Sequence, residues 1–254
     1  MSPRIRAAAG ALVAMLVLLV GSGSAAAEPI AVRYTEGVMR GFPVLRSQDG
    51  EKLARGELVQ VAQGDVVESR LTFYFKDGSI YDEHVVFSQT TVFALLRYHI
   101  VQRGPSFPES IDARVDRASG RYHVRYKGDE DSPEEKLDGS FTMPADAYNG
   151  LLSTLMKNLT ADRSATVQVI AFTPKPQLVK VLLKPAAEDL VQVNDTAVAT
   201  TRFLVEPQLG LFATLLVGDI PNVKCWIVGG PAPAFLRFEG PLYFMGPIWR
   251  IDWT

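Results

Sequence analysis

Residues 66–78, VVESRLTFYFKDG, contain the clearest strand and hairpin pattern in the chain. Every second residue in it is small or apolar, namely Val67, Ser69, Leu71, Phe73 and Phe75, and the residues between them are mostly polar. This period of two is typical of a β-strand with one buried face. Asp77-Gly78 follows the strand directly and predicts a hairpin with a type I′ turn, in which both central residues have positive φ.

The same alternation recurs along the chain between further turn signals such as Asp49-Gly50 and Gly64-Asp65. In residues 121–127 (RYHVRYK), every second side chain is basic or histidine, so one whole face of that strand is expected to meet water. Sheets with one wet face are typically antiparallel. The run 91–103 is more apolar, and strict alternation places Val92, Ala94, Leu96, Tyr98 and Ile100 on one of its faces.

A helical pattern interrupts the strands at residues 144–159. Its apolar residues are spaced as on one face of a helix; they are Tyr148, Leu151, Leu152, Leu155, Met156 and Leu159. Pro144 suits a first helical turn, because its missing N–H breaks no bond there. Later strands are expected at 166–172, 177–184 and 198–205, and a second helix or a buried loop at 209–217.

These patterns predict a mainly β protein with minor α content. We expect a strongly curved antiparallel sheet or incomplete barrel, with one amphipathic helix packed on its concave face. Residues 28–254 are expected to form one domain. Within it, the segment 226–254 is rich in Pro, Gly and aromatic residues, which predicts short strands and tight corners.

The N-terminus has the features of an export signal. Arg4 and Arg6 precede an apolar run of 14 residues, 7–20, and small residues end at Ala27. The run is shorter than the ~20 residues that a membrane-spanning helix needs. We therefore predict a signal peptide at 1–27, cleavage after Ala27, a periplasmic or secreted protein, and no permanent membrane anchor after cleavage.

Charge and cysteine usage narrow the class of protein. Removal of the two arginines of the leader takes the formal net charge from −2 to −4. No basic stripe is visible, so nucleic acid is not an expected partner. Cys225 is the one cysteine, which excludes an internal disulfide, and its apolar neighbours predict a buried, inert thiol.

The sequence carries no motif that names a reaction. The three histidines lie at no metal-ligand or triad spacing, and no G-x-S-x-G or phosphate-binding loop is present. In Asp82-Glu83-His84, strand alternation turns Glu83 away from its two neighbours, and His99 is expected to be a satisfied core histidine. We predict no catalytic residue, no metal ion and no cofactor, and a protein that is not an enzyme.

The order of strands, the Asp77-Gly78 hairpin and the helical segment 144–159 resemble the exported lipoprotein-carrier superfamily, over residues 34–184. The resemblance implies a half-open antiparallel sheet with a helical lid that holds acyl chains. We therefore expect a carrier for a hydrophobic small molecule or lipid. The residues predicted to line its site are Phe73, Phe75, Leu96, Tyr98, Leu152 and Met156.

Three alternatives stay open. The first is an envelope scaffold with a filled core, which would bind an envelope protein through an edge strand or the Pro/Gly-rich tail. The second is an outer-membrane β-barrel, which the helix at 144–159 and the short apolar faces of strands such as 121–127 disfavour. The third is a hydrolase, which the lack of motifs disfavours.

Overall fold

The computed structural model describes residues 29–128, 131–173, 175–208, 222–243 and 245–253. The predicted signal peptide at 1–27 and the predicted helix or loop at 209–217 lie outside the described residues. The described part forms fifteen strands and one helix. The strands are β1 (Met39–Gly41), β2 (Val44–Arg46), β3 (Lys52–Gln63), β4 (Val66–Phe75), β5 (Ile80–Gln89), β6 (Phe93–Arg103), β7 (Ser110–Asp116), β8 (Arg121–Lys127), β9 (Glu135–Ser140), β10 (Ala165–Thr173), β11 (Lys175–Val193), β12 (Thr196–Pro207), β13 (Val223–Val228), β14 (Ala234–Gly240) and β15 (Trp249–Asp252). The helix α1 is Leu152–Asn158.

All fifteen strands belong to one antiparallel sheet. Strands β2 to β9 lie side by side in chain order, as do β10 to β15, and β15 pairs with β2 to join the two series. Strand β1 pairs with β3 beside the end of β2. Among the described residues, β9 pairs with β8 alone and β10 with β11 alone, so the sheet is not closed into a barrel. The prediction of a mainly β, antiparallel fold is confirmed.

The hairpin of β4 and β5 confirms the half-buried strand predicted before Asp77-Gly78, but not the predicted turn type. Val67, Phe73 and Phe75 are buried, as the alternation predicts. Gly78 has φ of +86°, whereas Asp77 has negative φ. A type I′ turn needs positive φ at both residues, so this turn is of another type. The Gly78 N–H donates to the Phe75 carbonyl at 3.3 Å and the Phe75 N–H to the Ser79 carbonyl at 3.0 Å. This is a turn closed by a glycine in the left-handed region.

A β-bulge in β6 changes the predicted faces of the run 91–103. Val86 pairs with Arg97 and Phe87 with Leu95, which leaves Leu96 as an extra residue. An extra residue reverses the side to which the following side chains point. Phe93 and Leu95 are therefore buried together with Tyr98 and Ile100. The prediction that Leu96 and Tyr98 continue one alternating face is wrong for this reason.

The helix is shorter than the predicted range 144–159. Residues before Leu152 form turns that bind β10 instead of helical hydrogen bonds: Ala147 forms a parallel bridge to Gln168, and the Asn149 amide donates to the Ile170 carbonyl and accepts from the Ile170 N–H. Gly150, with φ of +68°, then precedes the helix. Among the described residues, no helix has the length and hydropathy needed to span a lipid bilayer.

Candidate binding cavity

A cavity of about 690 Å³ lies between two groups of strands and the helix. One wall comes from β3, β4 and β5, the opposite wall from β12 to β15, and α1 with the two residues before it closes a third side. Residues 36–39 and 43, at the start of the described chain, complete the lining. Sites that bind small molecules commonly have volumes of ~300–1,000 Å³.

The wall from β3 to β5 is apolar because inward positions alternate along each strand. Leu58 on β3 pairs with Leu71 on β4, and both border the cavity beside Val85 and Phe87 of β5. The outward residues between them, such as Val59, are exposed. The alternation of apolar and polar residues seen in the sequence therefore accounts for the apolar side chains of this wall.

The opposite wall comes from residues that neighbour one another across β13, β14 and β15. Cys225 pairs with Phe238, and Phe238 pairs with Ile251. All three border the cavity. Cys225 is buried, and burial raises the pKa of its thiol to about 12, which confirms a buried cysteine and keeps it protonated at neutral pH.

The helical side depends on a glycine at the start of α1. A Cβ atom at Gly150 would stand 2.3 Å from the Val85 side chain, so this segment can approach β5 only with glycine. Leu151, Leu152 and Thr154 follow and border the cavity. Local close approach, rather than helix propensity, therefore sets where α1 lies.

Glu83 is a carboxyl group in the otherwise apolar wall of β5. The Tyr98 hydroxyl donates to it at 2.8 Å, and Tyr81 contacts it as well. Burial raises the pKa of Glu83, and the two tyrosine hydrogen bonds partly offset that rise. Burial beside this carboxyl likewise raises the pKa of both tyrosines. Glu83 is thus a polar group with a reduced tendency to ionise.

A buried ion pair closes one side of the cavity. Lys157 of α1 pairs with Glu36, and their side chains are 13% and 10% exposed. Gln60 donates to the Glu36 carboxylate at 3.3 Å, and the Gln89 amide donates to the Glu36 carbonyl at 2.9 Å. Buried charges are stable when paired and hydrogen-bonded, so this network fixes the chain near residue 36 against the helix.

Trp253, which borders the cavity, carries a buried hydrogen-bond donor without a partner among the described residues. Its indole borders the cavity and packs against Gly41, where a Cβ atom would stand 2.0 Å from Cζ3. Trp253 Nε1 is buried and has no hydrogen-bond partner among the described residues. An unpaired buried donor costs ~1–3 kcal/mol, so an acceptor at this position would stabilise the protein.

The six residues predicted to line a ligand site lie in three kinds of place. Leu152 borders the cavity. Phe73, Phe75, Tyr98 and Met156 are core residues that do not border it. Leu96 is half-buried at the bulge and does not border it. The predicted lining missed the wall from β12 to β15, because alternation does not reveal which distant strands face one another.

The three histidines lie on the outer face of the sheet, each beside a carboxylate. His84 contacts Glu68 at 2.7 Å, His99 contacts Asp112 at 2.9 Å, and His123 contacts Asp138 at 2.5 Å. The sequence predicted that His99 is a satisfied core histidine, whereas the structure places it on this outer face, paired with Asp112. Within the described ranges, no group of three potential metal-ligating side chains occurs.

Comparison with known proteins yields one distant structural similarity. No protein-family model matches the chain, and no curated protein matches it. A similar solved structure is the crystal structure of a β-barrel-like protein of a domain of unknown function, DUF1849, from Brucella abortus. The two share 8% sequence identity and a TM-score of 0.46, over 87% of this chain and 98% of that chain. The resemblance to lipoprotein carriers stays a prediction.

Proposed function

We propose that this protein is an exported binding or carrier protein for a hydrophobic, lipid-like ligand in the cell envelope. The observation that supports this is the cavity of about 690 Å³ with apolar walls. Side chains that border such a volume make fewer packing contacts than those in a filled core, and an apolar ligand restores those contacts. This reasoning favours a carrier over a scaffold with a filled core.

The order of the strands supports a curved sheet around the helix. Strands β5 and β12 stand seven places apart in the sheet, yet both border the cavity. Since neighbouring strands are ~4.8 Å apart, a flat sheet would separate them by ~34 Å. We infer a sheet bent around α1, with the helix on the concave side, where it contacts β13 and β14.

Two polar features of the lining, apart from the Lys157–Glu36 ion pair, favour an amphiphile over a pure hydrocarbon. Trp253 has an N–H that is unpaired among the described residues, and Glu83 is a carboxyl group whose pKa burial raises. A small neutral polar group, such as an ester or a hydroxyl, can accept from the indole without bringing a charge into the cavity. The proposed ligand is therefore an amphiphile with a neutral polar group.

Ligand binding is tested with two tryptophan substitutions on β3, one on the face that borders the cavity and one on the outward face. Leu58→Trp fills the cavity, whereas Val61→Trp adds the same side chain at an outward position that is already 40% exposed. The probe is N-phenyl-1-naphthylamine, a neutral dye that fluoresces in apolar sites. We expect Leu58→Trp to weaken dye binding about tenfold or more, since one misfitting group costs over ~1.4 kcal/mol, and Val61→Trp to bind like the wild type.

Export and natural occupancy have separate tests. N-terminal sequencing of protein from the extracytoplasmic fraction is expected to begin at Glu28. Native mass spectrometry of protein purified from its host is expected to show a co-purified lipid. Equal dye binding by both tryptophan variants, together with no co-purified lipid, would contradict the carrier function even if export were found.

A further inference from the structure

A second pocket lies on the opposite face of the sheet from the cavity. Its volume is about 260 Å³, and it lies between the turn of the β11–β12 hairpin and the strands β2, β14 and β15. On β15, Trp249 and Ile251 are buried toward the core. Arg250 and Asp252 alternate with them, and they therefore point to the outer face. We call this site the arginine pocket, after Arg46, Arg237 and Arg250 in its lining.

Three guanidinium groups in the arginine pocket surround one carboxylate. Arg237 Nε donates to Asp252 Oδ1 at 2.7 Å, and Arg250 Nε donates to Asp252 Oδ2 at 2.8 Å. Arg46 Nε lies 3.8 Å from the same Oδ2. Sheet register enforces this proximity, because Arg250 pairs with Arg46 and Arg237 pairs with Asp252.

The arginine pocket therefore has more positive than negative charge. The remaining lining residues are uncharged: Val191, Gln192, Val193, Asn194, Leu236 and Trp253. Glu239 stands opposite Arg250 in the register, but its carboxylate lies 3.8 Å from Lys224 and forms no ion pair with Arg250 among the described residues. Three arginine side chains that are 24–31% exposed share one carboxylate, and a site with two excess positive charges attracts anions.

Several N–H donors of these arginine side chains have no hydrogen-bond partner among the described residues. Arg237 and Arg250 each bind Asp252 through Nε, and their Nη atoms form no hydrogen bond to any described residue. Arg46 donates from Nη1 to the Gly50 carbonyl at 3.1 Å. Guanidinium groups present a planar set of donors that matches the oxygens of phosphate and carboxylate.

We propose that the arginine pocket binds a small oxyanion of the phosphate class, either free or as the phosphate monoester headgroup of a lipid. Asp252 holds Arg237 and Arg250 by their Nε atoms and so orients their Nη donors for the anion. The charged residues of this site, Arg46, Arg237, Arg250 and Asp252, do not border the apolar cavity, although Trp253 borders both.

In the first experiment, the wild type is titrated with inorganic phosphate at low ionic strength, and binding is measured by isothermal titration calorimetry. Arg46→Gln is the principal variant, because the two short bonds of Asp252 to Arg237 and Arg250 remain and the fold is retained. Arg250→Gln is the second variant. The matched control is Arg125→Gln on β8, where the side chain is 58% exposed and lies 3.8 Å from Glu134.

We expect saturable phosphate binding by the wild type and by Arg125→Gln, and binding about tenfold weaker in each pocket variant, as a lost charge-assisted hydrogen bond produces. Vesicles of phosphatidylcholine with or without phosphatidic acid distinguish the source. Binding to phosphatidic acid vesicles that Arg46→Gln removes and phosphate inhibits indicates the lipid headgroup, whereas phosphate binding without vesicle binding indicates the free anion. No saturable binding by the folded wild type, or equal binding by all four proteins, would overturn the proposal.

Discussion

Two parts of the same interior are built in different ways. In the filled part, around Tyr148, Phe93 and Leu155, side chains are 0% exposed and do not border the cavity. In the hollow part, which is the lining of the cavity, side chains such as Leu71 and Phe238 are half-buried, and buried ones such as Phe87 border the empty volume. Both parts belong to one continuous hydrophobic core. The same sheet thus supports dense packing in one place and a ligand-sized volume in another.

The filled part is dense because a chain segment enters it with its polar groups satisfied. Arg117 donates to the carbonyls of Leu95, Met143 and Pro144. The Tyr148 hydroxyl accepts from the Ile30 N–H and donates to a strand carbonyl. Buried backbone groups need such partners. Hydrogen bonds to irregular segments, and not hydrophobicity alone, therefore decide where this sheet is filled.

The largest expected effect comes from the same truncation made in each part. Leu155→Ala removes a side chain that is 0% exposed and is expected to cost about 3–5 kcal/mol of unfolding free energy, because its packed neighbours cannot collapse. Leu71→Ala at the cavity wall is expected to cost only ~1–2 kcal/mol, since fewer contacts are lost. Urea denaturation followed by far-UV circular dichroism measures both. Equal losses would erase the distinction between the filled and hollow parts.

Strand alternation predicted most of the fold, and its failures have physical causes. The hairpin at Asp77-Gly78 and the wet outer face of 121–127 are found as predicted. The bulge at Leu96 is a single extra residue in a run that is apolar on both faces, so periodicity could not locate it. The helix begins at Leu152 rather than near Pro144, because Ala147 and Asn149 bind β10, a contact distant in sequence.

The next effect concerns the glycine that brings α1 to the cavity. Gly150→Ala must place a Cβ atom 2.3 Å from the Val85 side chain, at φ of +68°. Gly64→Ala is the matched control, because its φ is +58° and nothing lies within 4 Å of the added atom. We expect a loss of ~1–2 kcal/mol for Gly64→Ala from the backbone alone, and ~1–3 kcal/mol more for Gly150→Ala from the clash.

Thermal unfolding of the two glycine variants is the measurement, and the double variant Gly150→Ala/Val85→Ala separates the terms. If the clash is the cause, Val85→Ala costs less in the Gly150→Ala background than in the wild type. Additive losses would mean that the approach of this segment to β5 is looser than the structure indicates.

A smaller effect is expected from the hydroxyl of Tyr148 in the filled part. Tyr148→Phe keeps the buried ring and leaves the Ile30 N–H and the Phe93 carbonyl without this partner. The loss is expected to be about 1–2 kcal/mol, the usual cost of unpaired buried groups. Amide exchange at Ile30 is the sharper measurement, because it should accelerate more than exchange in the distant strand β12. Unchanged exchange at Ile30 would contradict the role of this hydroxyl.

The cavity could be predicted from the sequence only in part. Leu152 borders the cavity, and the apolar helix face recognised in the sequence includes it. Glu83 was correctly placed on the opposite side of the strand from Asp82 and His84, but alternation alone did not show that this side borders a cavity. Trp253 and the wall from β12 to β15 lie far from β3 to β5 in the strand order, and which distant strands share a cavity is set by all strands together. A volume between walls leaves no local signal in sequence.

The smallest expected effect is a pH dependence at Glu83 in the hollow part. Burial raises the pKa of this carboxyl in the folded state, so the folded protein binds the proton more tightly than the unfolded chain does. Stability is therefore lost as the pH rises from the unfolded pKa of about 4.3 toward the folded value. Glu83→Gln keeps an acceptor for the Tyr98 hydroxyl and carries no charge. Urea denaturation is expected to show no gain for Glu83→Gln below about pH 4.3, and a gain that grows as the pH rises from there to the folded value and is constant above it.

The control for this titration is Glu57→Gln, a carboxylate on the outer face of β3 that is paired with the exposed Arg40. Its surface ion pair is worth little, so the variant should follow the wild type at every pH. If Glu83→Gln also followed the wild type from pH 4 to 7, Glu83 would be ionised in an environment as polar as water. The hollow part would then be hydrated rather than apolar, and an amphiphile with a neutral polar group would no longer be the expected ligand.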